Sequence, residues 1–113
     1  MTIDDIDQES SVKVFAALSS PVRLQILLWL LDPRPHFPVQ RDGELVKDGV
    51  CVGAITEKTG LTQPTISAHM KKLAGAGLVT GQKFGNWIFY KPDRDRLARF
   101  GGALQDAALR PPR

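Results

Sequence analysis

The 113-residue sequence predicts one mainly α domain with a small β-hairpin, an α+β fold. Three observations carry that expectation. Apolar residues recur at helical spacing in several separate segments. Pro and Gly clusters cut those segments apart, at Ser19-Ser20-Pro21, at residues 32–38, at Gly60 and at Gly75 to Gly77. The clearest strand-like runs are Leu78-Val79-Thr80 and Trp87-Ile88-Phe89-Tyr90, with a turn-rich stretch between them.

Taken in order, residues 1–9 read as an acidic tail and residues 10–109 as the domain. Ser10 or Ser11 can cap a first helix, in which Val12, Phe15 and Ala16 mark the apolar side. Ser20 caps a second helix, Pro21 to Leu31, and Pro21 fits its first turn. That helix is apolar nearly all round, which predicts central burial. The prolines at 33, 35 and 38 end it. Within the long loop at 32–49, Asp42-Gly43 between Val39 and Val46 suggests a hairpin. A third helix fits Val52 to Thr59, and Gly60 ends it. Thr62 then caps a fourth helix whose buried side is Ile66, Met70 and Leu73. The hairpin spans 78–91, with Gly81 to Asn86 as its tip. A last helix covers 93–109, weakened at Gly101-Gly102, and 110–113 are a tail.

Charge distribution is more informative than net charge, which is only +3. Residues 1–11 hold Asp4, Asp5, Asp7 and Glu9 and no base. From Lys58 to Lys91 the charged residues are Lys58, Lys71, Lys72, Lys83 and Lys91, with no acid. A basic stripe without acids is the footprint of a phosphate-binding surface, and its bland counterpart is a solvated face. A single cysteine, Cys51, excludes an intramolecular disulfide and a cage of several thiolates within one chain. The longest apolar run, Ile26 to Leu31, is far shorter than the ~20 residues of a membrane span, and the acidic start is unlike a signal peptide. A cytoplasmic protein is therefore expected, without a membrane partner.

Two short helices joined by Gly60-Leu61-Thr62 fit a helix-turn-helix, whose second helix enters the major groove. Close approach to base edges favours short polar and methyl-bearing side chains there. Thr62, Gln63, Thr65 and Ser67 can hydrogen-bond bases or phosphates, and Ala68 can touch a thymine methyl. Lys71 and Lys72 suit phosphates. Lys83 and Asn86 on the hairpin tip would lie on the adjacent backbone or minor groove. His69, about 60° from the centre of the apolar side, divides between a DNA contact and a half-buried packing residue.

On these residues the chain resembles the ArsR/SmtB family of bacterial winged-helix repressors. FAALSSPVRLQILLWL, CVGAITEKTGLTQPTISAHMKKLAGAGLV and FGNWIFYKP carry the resemblance, from about Val14 to Pro92 without the loop. It implies a winged helix-turn-helix homodimer, paired through helices near residues 10–18 and 93–109. It also implies a double-stranded DNA operator with two-fold symmetry, and control by an effector, a small molecule included. Two departures stand out. Where many members carry Cys-Val-Cys at the third helix, this chain has Cys51-Val52-Gly53, and the last helix has no histidine. One thiol is too few for tetrahedral zinc within a chain, so no metal site and no cofactor is expected. The loop at 32–49 is also long for the family.

The leading functional expectation is a dimeric DNA-binding repressor. Two others stay beside it: a metal- or thiol-responsive sensor acting through Cys51, and a winged-helix module binding an acidic protein. An enzyme is not expected, because no catalytic residues group in a plausible motif.

Overall fold

A computed structural model describes residues 8–113. The acidic tail therefore lies almost wholly outside the described residues. Five helices and three strands follow in the order α1 (Gln8–Leu18), α2 (Pro21–Leu31), β1 (Val50–Cys51), α3 (Val52–Thr59), α4 (Gln63–Gly75), β2 (Val79–Phe84), β3 (Trp87–Pro92) and α5 (Arg94–Leu109). No single helix among the described residues is long and apolar enough to cross a membrane.

The expected cap of α2 forms. Ser20 accepts from the Arg23 N–H and starts α2, with Pro21 in the first turn, where no N–H partner is needed. Asp93 caps α5 by accepting from the Arg96 N–H at 3.0 Å. α1 begins earlier than expected, at Gln8, so Ser10 and Ser11 lie inside it. The core gathers Ile26, Leu27 and Leu30 of α2, Ile55 of α3, Ile66, Met70 and Leu73 of α4, and Leu78 and Val50, all essentially without solvent contact. Burying each large aliphatic chain contributes roughly 1.5–3 kcal/mol, and this set holds α2, α3 and α4 together.

Three expectations need correction. α2 is not wholly buried: Leu24 is 41% and Leu28 52% exposed, so its apolar surface continues to the outside of the single chain. No hairpin forms around Asp42-Gly43. Instead a turn closes from Glu44 to Asp48, where the Asp48 N–H donates to the Glu44 carbonyl at 2.8 Å and the Asp48 carboxylate accepts from the Glu44 N–H at 2.7 Å. Short-range side-chain bonds of this kind compete with strand pairing. Finally, the hairpin is part of a three-stranded antiparallel sheet, in the order β1-β3-β2. β1 pairs Val50 with Tyr90 and Cys51 with Phe89.

The 32–49 loop is built into the fold. Phe37 and Leu45 reach the core. Gln40 brackets β1 as a neighbouring strand would. Its amide nitrogen donates to the Gly49 carbonyl at 2.9 Å, and its amide oxygen accepts from the Cys51 N–H at 2.7 Å. Lys91 of β3 donates to the Lys47 carbonyl at 2.9 Å. Gly49, at φ +98°, lies so close to β3 that a β-carbon there would meet the Tyr90 carbonyl oxygen at 2.6 Å. The loop thus covers the β1 edge of the sheet to which the wing belongs.

Candidate nucleic-acid interface

The turn between α3 and α4 is set by Gly60. It adopts φ +72°, a left-handed conformation suited to glycine, and its N–H donates to the Thr56 carbonyl at 3.0 Å. Two residues later Thr62 is extended and caps α4, accepting from the Thr65 N–H. The Thr62 and Thr65 hydroxyls also lie 2.8 Å apart and bond each other. Part of their hydrogen-bonding capacity therefore shapes the helix start. Each hydroxyl has further capacity for an outside partner.

Ile66, Met70 and Leu73 anchor one side of α4 in the core, which fixes the other side outward. Gln63, Thr65, Ser67, Ala68, Lys71 and Lys72 are all exposed there. Together they form a low, acid-free surface with two cations. The wing supplies Lys83 and Asn86, both exposed. β2 runs on to Phe84, so the tip is narrower than expected. Phe84 pairs with Trp87, leaving Gly85-Asn86 as a two-residue turn, with Gly85 at φ +59°. Glycine at that first position is what a type II′ hairpin turn requires.

The five lysines of the acid-free segment separate into two groups. Lys58 lies over the Trp29 ring, 5.4 Å from its centroid, and Lys91 is tied to the loop carbonyl of Lys47. Lys71 and Lys72 on α4 and Lys83 on the wing are exposed and carry no such contact to Trp29 or the loop.

His69 is half-buried and has an internal partner. A guanidinium nitrogen of Arg23 lies 3.1 Å from its Nδ1. Guanidinium can only donate, so Nδ1 accepts and the neutral ring carries its proton on Nε2. Burial first, and then the charges of Arg23 and Lys72, hold this imidazole below its ordinary pKa. Sequence reasoning missed Arg23. Its one signal is that it is the lone charged residue in an apolar helix.

Cys51 is partly buried at the N-cap of α3, where its side chain makes no capping bond. Among the described residues no three His, Cys, Asp or Glu side chains gather as a metal-binding group.

Comparison with known proteins identifies the architecture. The family profile described as bacterial regulatory protein, arsR family, matches residues 45–80, which include the whole of α3, the turn and α4. The HTH-type transcriptional regulator YbzH of Bacillus subtilis is 37% identical over 94 residues, covering 83% of this chain and 94% of that protein. The nodulation protein NolR of Rhizobium meliloti is 31% identical over 100 residues, covering 88% and 70%. Among solved structures, NolR from Sinorhizobium fredii superposes with a TM-score of 0.56 at 29% identity, covering 89% of this chain and 86% of that one. The homodimeric winged helix-turn-helix DNA-binding domain of a possible ArsR-family regulator from Mycobacterium bovis superposes at 0.64 with 25% identity, covering 96% and 86%. By its helix-turn-helix, its wing and these relatives, the chain belongs to the arsR family of bacterial transcriptional regulators.

Proposed function

We propose that the chain represses transcription as a homodimer bound to a palindromic operator. α4 would lie in the major groove, with the Lys83–Asn86 tip on the neighbouring backbone or minor groove. The observation that carries this reading is the outward side of α4. It has short polar and methyl groups where bases would be, lysines where phosphates would be, and no carboxylate to repel the duplex. The relatives' names as transcriptional regulators favour DNA over an acidic protein as the ligand of this face.

Dimerisation through α1 and α5 is supported by the apolar surface a single chain leaves uncovered. No residue of α5 is fully buried. Phe15 of α1 meets Phe100 of α5 edge to face at 5.3 Å, yet Phe15 is still 54% exposed. Val12, Leu104 and Leu109 extend the same two helices' open apolar surface. A two-fold dimer with one α4 per protomer matches an inverted-repeat site.

Mobility shift with the DNA upstream of the chain's own gene tests the proposal. Binding should be sequence-selective and should weaken steeply with salt. Replacing Lys72 by Ala removes two cations per dimer and should lower the slope of log affinity against log salt by about 1.8, at about 0.9 per phosphate contact. Equal affinity for random and upstream DNA at physiological salt would rule the proposal out.

A further inference from the structure

Arg23 does more than its neighbours in α2. It is the only charged residue between Pro21 and Leu31, and it is partly buried. Its Nε donates to the Ala17 carbonyl at 2.7 Å, and one terminal nitrogen reaches the Ala16 carbonyl at 3.4 Å. The other terminal nitrogen donates to His69 Nδ1 at 3.1 Å. The two carbonyls belong to the last turn of α1, which holds no basic residue to answer the helix dipole; the Ala16 carbonyl also accepts from the Ser19 hydroxyl at 2.7 Å. One planar cation therefore fastens the end of α1 and the start of α2 to the middle of α4. The planar fork matters: an ammonium is a point charge and does not hold three acceptors in a fixed plane.

We infer that Arg23 is a positioning residue for operator recognition, which holds the recognition helix at a set attitude to α1 and thereby to the recognition helix of the partner protomer. The inference rests on the dimeric DNA-binding reading above. If α1 lies at the dimer interface and α4 in the groove, the Arg23–His69 link is a direct polar connection between them. Half-sites on a duplex sit about one helical turn apart, 34–36 Å. An added base pair shifts and rotates one half-site relative to the other, so a loosened α4 costs discrimination between spacings before it costs contact with any one half-site.

The experiment uses the full chain and a binding site selected from random duplexes by the wild-type protein. Affinity is measured for the selected site, for sites with one base pair added or removed at the centre, and for a single half-site. Wild-type protein should prefer the selected spacing by about tenfold or more. Arg23→Lys and His69→Ala should lose most of that preference while single half-site affinity holds. His69→Asn should restore it, because the Asn Oδ1 can take the place of Nδ1 as acceptor. The inference is overturned if Arg23→Lys and His69→Ala keep the wild-type spacing preference. It is equally overturned if they lose half-site affinity in parallel, as a general loss of structure would, or if His69→Asn behaves like His69→Ala. Wild-type protein that selects no sequence at all would sink the DNA-binding reading itself, and this inference with it.

Discussion

Replacing Gln40 by Ala removes the bracket on the edge of the sheet. The bracket's two hydrogen bonds are lost, the 2.9 Å donation to the Gly49 carbonyl and the 2.7 Å acceptance from the Cys51 N–H, along with a longer, exposed 3.4 Å donation to the Gly43 carbonyl. Both bonds are partly buried, so each backbone group loses a partner in a place where water replaces it poorly. An orphaned buried polar group costs about 1–3 kcal/mol. The edge admits some solvent, which puts each loss near the lower end, for a total of about 2 kcal/mol. In a domain of this size that is a fall in melting temperature of about 8 °C. Urea unfolding at one fixed protomer concentration is the assay, since a dimer's apparent stability depends on concentration. Hydrogen exchange at the Cys51 amide localises the effect, and that amide should exchange faster in the variant. Gln40→Glu should be no better than Ala, because a carboxylate can still accept from Cys51 but turns its second oxygen toward the Gly49 carbonyl. A loss below about 0.5 kcal/mol with unchanged Cys51 exchange would be an ordinary surface effect and would refute the bracket.

Three further outcomes follow from the side-chain contacts. His69 has its pKa lowered from 6.5 in the fold, so on acidification the unfolded chain takes the proton first. Its contribution is complete above that value and drains as pH falls through the lower folded one; between about pH 7.5 and about pH 5.5 wild type should lose urea resistance relative to His69→Asn, and parallel curves would contradict the assignment. Phe15→Ala acts twice across a two-fold interface, and at about 2 kcal/mol for each buried aromatic the dimer should weaken by roughly three orders of magnitude in sedimentation equilibrium; an unchanged dimer would place the interface elsewhere. Cys51 has the extended backbone of an N-cap without a capping bond, so Cys51→Ser should stabilise the protein by about 1 kcal/mol in thermal unfolding, and a less stable variant would mean that thiol packing outweighs the cap.

Much of this was legible in the chain because the signals were local. Ser20, Thr62 and Gly60 act on backbone groups within a turn of themselves, and Ile66, Met70 and Leu73 need only helical spacing to define a side. The outward residues of α4 followed from that spacing as well. What stayed hidden depended on distant partners. β1 is two residues long, too short for any periodicity, and it exists because Tyr90 and Phe89 lie alongside. Asp42-Gly43 looked like a hairpin because the side-chain bonds of Glu44 and Asp48 that prevent one are invisible to a dipeptide signal. Arg23 and His69 are 46 residues apart, and neither residue alone announces the other. The open surface of α2 is not legible because apolar composition alone does not tell which side of a helix the core will cover.

The last helix has one more consequence. α5 places no residue fully inside its own chain and carries Gly101-Gly102 at its middle, at a cost of about 1 kcal/mol of helix propensity per glycine. A helix of sixteen residues with so little to hold it is marginal in water. If α5 pairs across the dimer as proposed, separation would leave this segment free to fray and open to proteases. Pairing would then govern not only how the protein binds but how long each copy survives. Newly made chains that fail to find a partner would be cleared, and the cell's supply of regulator would settle at the level that pairing protects.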